Sequence, residues 1–353
     1  MAPDNTILLE ILRDACRAPS GDNAQPWRFA IRGNIVRVIN VPENDTSPFN
    51  WQQISNHVAL GAVVENLRIS AEAHGFRTSI ALFPDENDRL VVAEVTLAPD
   101  LSIRNDLAPF IASRATNRKN YHAKAIEPEK FSELSALASG QESRIAFVTD
   151  STTVNSVARI VSIGEKLAIE NKSIHDFLFD HVTWTKEEDA VRHGFFIDTF
   201  EFIPPQRIAF RLFRNWNILK LFLPFGISNV IARDTAKVHA TAAAFGAIIV
   251  PNGASEDFLK AGMLLERLWL TAQRLGLSLQ PTTTVHLIGT RILAGDPGDL
   301  SLMHQKLLRE NYAALAARFL LKGTERFGFV FRLGYAETPS ARTTRSEPNI
   351  VWL

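Results

Sequence analysis

Residues 61–76 read GAVVENLRISAEAHGF, and residues 262–277 read GMLLERLWLTAQRLGL. Aligned without gaps the two stretches share five residues, whereas ordinary composition gives about one identity in sixteen positions. The shared pairs are Gly61/Gly262, Glu65/Glu266, Leu67/Leu268, Ala71/Ala272 and Gly75/Gly276. Apolar periodicity and the closing glycine predict a helix for each stretch. Gly, Glu and Ala share one face spanning about 120°, so another helix or a planar ligand can approach the backbone there.

The stretch SRATNRKNYHAKAIEPEKFSELSALA, residues 113–138, has the layout of a second chain start, with a helix that opens near Pro128. The predicted strands are 28–31, 34–40, 88–99, 144–150, 245–252, 285–292 and 327–336, and a long helical insert covers about 155–232. We therefore predict an α+β protein made of two fused, pseudo-two-fold-related halves, residues 1–110 and 111–353, that imitate a homodimer. The alternative is that any two core helices look alike.

The bulk composition is that of an ordinary globular protein of 353 residues, with 46% hydrophobic and 22% charged residues. Lysine plus arginine equals aspartate plus glutamate at 38 each, so nothing favours nucleic acid or an anionic membrane. A single cysteine, Cys16, excludes a disulfide framework and a cysteine-based metal site. Residues 1–20 read as an amphipathic helix capped by Asp4 or Asn5 rather than as a secretion signal. We therefore expect a cytoplasmic protein.

Residues 207–233, RIAFRLFRNWNILKLFLPFGISNVIAR, are strongly apolar and aromatic. Arg211, Arg214, Lys220 and Pro224 interrupt the run, so a transmembrane span is not expected. The segment is either a buried or lid-like helical pair, or a basic amphipathic segment that lies on a membrane or holds a partner.

Three polar clusters call for partners. Arg114, Thr116 and Arg118 combine two guanidinium groups with a hydroxyl, a set that suits a phosphate because each guanidinium donates bidentately to oxyanions. Arg342 and Arg345 form a second basic pair, although arginines such as these are often simply solvated at the surface. The loop APSGDNAQPW, residues 18–27, mixes donors and acceptors in a way that suits a heterocycle or a sugar better than a metal.

This loop, Ala18-Pro19-Ser20-x-x-Asn23-x-Gln25-Pro26-Trp27, resembles the signature of the nitroreductase family that binds flavin mononucleotide (FMN). Arg114-x-Thr116-x-Arg118 resembles the family's phosphate-binding stretch, with Ala115 in place of one arginine and Thr116 in place of a serine. In a conventional member the arginine stretch comes first and the loop follows. Here the order is reversed, which resembles the single-chain, Acg-type proteins in which two halves of one chain replace the dimer. The first half lacks the arginines and the second lacks the loop, so one complete site per chain is expected.

The resemblance implies a set of flavin-binding residues. The phosphate would be held by Arg114, Thr116, Arg118, Arg342 and Arg345. One side of the flavin would be lined by Pro19, Ser20, Gly21 and Asn23. The side of the flavin N5 atom would be lined by Gln280, Pro281, Thr282 and Thr283. Gln25 and Trp27 are expected to support the loop, and catalytic residues are not predicted.

Three functions remain open on this evidence. The first is an oxidoreductase in which FMN carries electrons from NADH or NADPH to an organic acceptor. The second is a flavin-binding protein without turnover, if residues 180–232 cover the flavin as a permanent lid. The third is a flavoenzyme with a dedicated substrate. The protein is expected to act as a monomeric pseudo-dimer, with further dimerisation possible and no nucleic-acid partner.

Other candidate residues receive structural interpretations. No histidine spacing matches a metal site, so no metal is expected, and His57, His74 and His286 are expected to be satisfied core or surface residues. Glu65 and Glu266 are expected on a helix surface or in capping roles. No Gly-x-Gly-x-x-Gly or Walker sequence is present, so a separate nicotinamide domain is not expected.

Overall fold

The computed structural model describes residues 3–353. The first part of the chain contains α1 (Asn5–Ala15), β1 (Trp27–Arg32), β2 (Ile35–Asn40), α2 (Ile54–Ala73), β3 (Phe76–Leu82), β4 (Val91–Pro99) and α3 (Ala108–Ile111). As predicted, Asp4 caps α1, because its side chain accepts a hydrogen bond from the backbone N–H of Thr6.

The second part begins with α4 (Pro128–Ala136), β5 (Arg144–Val148), α5 (Ser151–Val161), α6 (Ile163–Glu170), α7 (Lys172–Asp180), β6 (Val182–Thr183), α8 (Lys186–Val191) and β7 (Phe195–Phe196). It continues with α9 (Pro204–Phe213), α10 (Trp216–Phe222), α11 (Ile227–His239), β8 (Ala244–Val250), α12 (Ser255–Arg274), β9 (Ser278–Pro281), α13 (Thr284–Leu293), α14 (Leu302–Arg318), β10 (Arg326–Gly334) and β11 (Ile350–Trp352). None of the helices within residues 3–353 is long and apolar enough to cross a membrane.

Two sheets carry the fold. One has the strand order β11-β1-β2-β4-β3, and the other has the order β5-β8-β10-β9. Neighbouring strands are antiparallel except for β11, which runs parallel to β1 with Ala30 opposite Val351. Helices cover both sheets, so the predicted α+β class is confirmed.

The helices α2 and α12 pack against each other between the two sheets. A Cβ atom built on Gly61 would lie 2.0 Å from the carbonyl oxygen of Leu259, and one on Gly262 would lie 2.0 Å from that of Val58. Each glycine thus meets the carbonyl three residues before the other, as a two-fold axis between the helices would require. This reciprocity supports the internal duplication, which stays a prediction, as do the half boundaries 1–110 and 111–353.

The C-terminal strand crosses that predicted boundary. Backbone N–H of Phe29 donates to the carbonyl of Asn349, and Leu353 donates back to the carbonyl of Ile31. The last residues of the second half therefore complete the sheet of the first half, and residues 335–349 must run across the molecule to reach it.

Several local predictions need correction. The predicted strand at 285–292 is the helix α13, because Val285, Ile288 and Ile292 share a helical face that is buried. The predicted helices at 61–76 and 262–277 each begin seven residues earlier, at Ile54 and Ser255. The insert begins with α5 at Ser151 and ends with α11 at His239, and it includes the short strands β6 and β7. The helix α14 and the strands β3, β9 and β11 were not predicted.

The close contact between α2 and α12 predicts that replacing either glycine by alanine destabilises the protein. Helix propensity alone favours Gly61→Ala and Gly262→Ala by about 1 kcal/mol. The backbone clash opposes it, and we expect each variant to lose about 1–3 kcal/mol of unfolding free energy in urea titrations. Ala73→Gly, at an exposed position of α2, is the control, and it should cost no more than about 1 kcal/mol. Stabilisation by either Gly→Ala change would show that the helices do not need this close contact.

Candidate functional site

A cavity of about 300 Å³ lies beside α2 and α12. Eleven of the thirteen predicted binding residues line it: Pro19, Ser20, Gly21, Asn23, Arg114, Thr116, Arg118, Pro281, Thr283, Arg342 and Arg345. These residues come from four distant parts of the chain, so the fold brings the three polar clusters together with Pro281 and Thr283. Their role in flavin binding stays a prediction.

The loop at residues 18–27 has an unusual backbone. Asp22, Asn23 and Gln25 have φ values of 51°, 57° and 50°. This left-handed region is costly for most side chains, but Asp and Asn tolerate it better than others. Ser20 Oγ accepts a hydrogen bond of 3.0 Å from the backbone N–H of Gln25, which closes the loop on itself. The polar sequence is therefore explained in part by the turn it must form.

The same loop holds the segment near the C-terminus. Asn23 Nδ2 donates to the carbonyl of Thr344 at 3.1 Å, and Asn23 Oδ1 accepts from Arg345 Nη1 at 2.5 Å. Gln25 Oε1 accepts from the backbone N–H of Ser346 at 2.9 Å. Gln25 and Trp27 are buried away from the cavity, in line with the supporting role expected for them.

Arg114 is buried under the cavity wall and is held from three sides. Its Nε lies 3.1 Å from Glu266 Oε1, its Nη2 donates to the carbonyl of Arg17 at 2.7 Å, and its guanidinium carbon lies 4.5 Å from the ring centre of Trp269. Burial lowers the pKa of Arg114, and burial raises that of Glu266 to about 7, which the Arg114 charge opposes. The Glu266 carboxylate thus fixes a cation at the cavity.

Arg118 and Arg342 leave more of their donors free for a ligand. Arg118 Nη1 donates to the carbonyl of Thr199 at 3.2 Å, and Arg342 Nη1 donates to the carbonyl of Ala112 at 2.9 Å. Burial lowers the pKa of Arg118 to about 10 and that of Arg345 to about 9, so both are cationic at neutral pH. With Arg17, the cavity is lined by five arginines and one carboxylate, Asp22, a wall suited to an anion.

Two predicted residues lie outside the cavity lining. Gln280 Oε1 accepts from Nε of the fully buried Arg332 at 2.6 Å, so its side chain points to a structural partner. The backbone N–H of Thr282 donates to the carbonyl of Val330 at 2.8 Å and is not free for a ligand. Neither residue is therefore part of the wall that Pro281 and Thr283 form.

Sequence reasoning missed further lining residues, among them Asp22, Ser55, Phe195, Thr199 and His286. Asp22 lies inside the quoted loop. Burial raises its pKa to about 7, although a hydrogen bond from Ser47 and the Arg118 charge oppose the shift. Phe195 and Thr199 come from the insert, so part of the segment expected as a lid forms one wall of the cavity.

The expectation that His286 is satisfied was wrong. It is buried at the cavity, and neither ring nitrogen has a hydrogen-bond partner within the described part of the chain. Burial lowers its pKa to about 3, so the ring is neutral. It can therefore offer one donor and one acceptor to a ligand at neutral pH.

The surface or capping role expected for Glu65 and Glu266 was also wrong, since both are fully buried. Glu65 Oε1 accepts from Arg68 Nη2 at 2.6 Å and from Arg267 Nε at 2.7 Å. Burial alone would raise the pKa of Glu65, but these two arginines outweigh it and the pKa is lowered. Glu65 is thus a charge paired with two arginines in the helix interface, whereas Glu266 lies beside Arg114.

The comparisons place the chain among known proteins. No protein-family model matches it. It is 21% identical over 279 residues to the Mycobacterium tuberculosis protein MT1398, an alignment covering 78% of this chain and 39% of that one. It is 23% identical over 210 residues to the same organism's "Putative NAD(P)H nitroreductase acg", covering 56% of this chain and 62% of that one. The chain thus matches less than two thirds of the length of either relative.

Among solved structures, an FMN-bound nitroreductase from Bacteroides fragilis aligns with a TM-score of 0.37 and 10% identity, over 69% of this chain and 94% of that one. The sequence matches, which include acg itself, confirm the resemblance predicted from the loop at residues 18–27. By these matches, the chain is similar to nitroreductase-like proteins of the Acg type.

Proposed function

We propose that this chain binds one FMN in the arginine-lined cavity and is a flavin-dependent oxidoreductase. The observation that carries the proposal is the joining of the loop at 18–23, the stretch 114–118 and the pair Arg342 and Arg345 around one cavity. Its volume of about 300 Å³ lies at the low end for small-molecule sites. The residues that line the cavity fit FMN. The phosphate would meet several guanidinium groups, and the planar flavin ring would meet the small residues of the loop.

The phosphate end is assigned to Arg118, Arg342, Arg345 and Thr116. Arg118 and Arg345 are cationic and half-buried, so each adds charge-assisted hydrogen bonds in a partly dry setting. Arg114 is committed to Glu266, so it contributes positive charge beneath the phosphate rather than a free bidentate fork. This refines the role first assigned to Arg114.

The flat part of the cofactor is assigned to the region between the loop and α13. A Cβ atom on Gly21 would come within 2.8 Å of Ser55 Oγ, so a side chain at this position would have to displace Ser55. Pro19, Ser20 and Gly21 would face Pro281, Thr283 and His286 across the cavity. His286 is placed to exchange hydrogen bonds with the ring edge, because its two nitrogens are otherwise unpartnered within residues 3–353.

The bound cofactor would supply the redox chemistry, taking a hydride from NADH, NADPH or a dedicated substrate and passing it to an organic acceptor. The chain's own task is then to hold the phosphate, orient the ring and limit solvent. The two halves, 1–110 and 111–353, would supply these parts as the two subunits of a dimer do. The chain would therefore need no second copy for a complete site.

A second candidate is a flavin-binding protein without turnover. It is favoured by Phe195 and Thr199, which bring the insert to the cavity, and by the aromatic cluster behind them. Phe195, Phe200, Phe202 and Phe210 are linked ring to ring at centroid distances of 5.0–5.6 Å. Such a wall could prevent a nicotinamide from stacking on the flavin.

The visible spectrum of the purified protein separates these candidates. Absorbance near about 450 nm, at one flavin per chain, supports the site, and anaerobic bleaching by NADPH or NADH supports a reductase. A yellow protein that neither nucleotide reduces favours the second candidate or a dedicated substrate. A colourless protein that stays colourless with added FMN contradicts the whole proposal.

Arg118→Ala is expected to weaken FMN binding by about 5- to 150-fold, since removing one charged hydrogen-bonding partner costs about 1–3 kcal/mol. Arg345→Ala should lose at least as much, because it also releases Asn23. Fluorescence titration measures both. Riboflavin, which lacks the phosphate, should bind Arg118→Ala as it binds the unaltered protein. Arg28→Ala, an exposed change on β1, is the protein control, and equal FMN affinity in all variants would rule out the phosphate assignment.

The Asp22 carboxyl predicts a pH dependence. Its pKa of about 7 means that it is largely neutral at pH 6 and charged at pH 8, where it repels an anionic ligand. FMN affinity should therefore fall as pH rises through 7. The total fall is about tenfold for each pH unit by which bound FMN raises the pKa of Asp22. Asp22→Asn should remove this fall.

The phosphate has its own pKa near about 6, so the difference between Asp22→Asn and the unaltered protein is the quantity to measure. Glu165→Gln is the matched control, because burial also raises the pKa of Glu165 to about 7 but the residue does not line the cavity. If both variants keep the pH dependence of the unaltered protein, Asp22 does not face the bound phosphate.

A further inference from the structure

The segment at residues 203–225, which we call the basic hairpin, exposes large apolar side chains on α9, on α10 and in the turn after them. Phe225 is 85% exposed, Leu221 68% and Ile208 63%. Ile203, Leu212 and Phe222 are also exposed. Single exposed apolar residues are normal, but six within 23 consecutive positions form a concentration that calls for a partner.

Both sides of the basic hairpin are apolar, and only one side is used by the fold. Phe213 and Leu219 are buried and pack with Ile169 and Phe179 of α6 and α7. Ile208 and Leu212, one helical turn apart, lie outside that cluster and are exposed. The exposed apolar residues are therefore not the poorly packed edge of a core, because the core contact of α9 is made by other residues.

The charge of this region has one sign. From Phe202 to Arg233 the sequence contains five basic residues and no acidic one. Arg207 pairs with Asp198 at 2.5 Å. The other four, Arg211, Arg214, Lys220 and Arg233, are exposed and have no acidic group within 4.0 Å among residues 3–353. Four unpaired cations thus accompany the exposed apolar residues, in a chain whose formal net charge is zero.

We infer that the basic hairpin binds the surface of an anionic lipid bilayer, with Leu221, Phe222 and Phe225 in the interface and the basic residues at the headgroups. Exposed Leu and Phe next to Lys and Arg on short helices are the pattern of a segment that lies in a bilayer surface. A second copy of this chain is a poorer occupant, since docking the same face on itself would bring like charges together. The inference concerns a surface outside the cavity and does not depend on the proposed function.

Flotation of the full chain with vesicles tests the inference. Vesicles of phosphatidylcholine with about a third phosphatidylglycerol should bind the protein at about 0.1 M salt, and vesicles of phosphatidylcholine alone should bind it far less. Raising the salt to about 1 M should release much of the bound protein, because the Debye length falls from about 10 to 3 Å.

Two double variants separate the contribution of the basic side chains to vesicle binding from that of the apolar side chains. Arg211→Gln with Lys220→Gln should weaken binding by about 30-fold, since each basic residue near an anionic surface contributes about 1 kcal/mol. Leu221→Ser with Phe225→Ser should weaken it by about tenfold or more. The matched controls remove the same charge or apolar surface elsewhere: Arg28→Gln with Arg32→Gln on β1, and Leu101→Ser, each at an exposed position. Controls should bind as the unaltered chain does.

Three outcomes would overturn the inference. They are no flotation with either vesicle, equal and salt-independent flotation with both, and loss of binding in the controls to the same degree as in the hairpin variants. A concentration-dependent dimer in light scattering, abolished by Leu221→Ser with Phe225→Ser, would instead assign this face to a second copy.

Discussion

Backbone touches backbone where α2 crosses α12, and the rest of the molecule is arranged around that contact. The carbonyls of Val58 and Leu259 occupy the space that a Cβ of Gly262 or Gly61 would need. Such an approach is open only to glycine. It brings the two sheets, one on each side of the helix pair, close enough that residues from both halves reach one cavity: Val58 and Ala59 from α2, and Leu265 from α12.

The same crossing explains why Glu266, and not Glu65, is paired with an arginine of the cavity. Glu65 and Glu266 occupy equivalent positions, but their helical neighbours differ. Next to Glu65 stand Arg68 and, across the interface, Arg267, which neutralise it. The positions equivalent to these arginines beside Glu266 are Trp269 and Asn66, so its charge is balanced by Arg114 from outside the helix pair. An unpaired buried carboxylate is costly, and this need ties the 114–118 stretch to the cavity wall.

Sequence patterns predicted the polar segments that line the cavity, but not the hydrogen bonds that join these segments to one another. Turn residues marked the loop at 18–27, and the spacing of Arg114 and Arg118 marked an anion site. Nothing local could reveal that Asn23 holds Thr344, more than 300 residues away. The run at 285–292 was taken for a strand because short apolar runs fit either element. The close packing of this helix against α14 depends on Gly289, where a Cβ would lie 2.4 Å from the ring of Tyr312.

Buried polar groups were the other source of error, because burial is a property of the packed fold and not of the residue. Glu266 looks like a surface acid and Gln280 like a ligand donor. The first is buried by α2, and the second is taken by Arg332, whose remaining donors fix the carbonyls of Val238 and Lys119. Sequence similarity indicates where a residue lies in a motif. The hydrogen-bond partner of its side chain depends on which residues the fold packs against it.

The C-terminal segment links the stability of the fold to occupancy of the cavity. Arg345 is bound to the loop through Asn23 and Ala18, and four residues later the chain joins the first sheet beside β1. Burial and the neighbouring Arg114 charge together lower the pKa of Arg345 to about 9. An anion in the cavity relieves the repulsion between these two arginines. By linkage, an anion that binds only while Arg345 is held by the loop would also stabilise the docking of β11 beside β1.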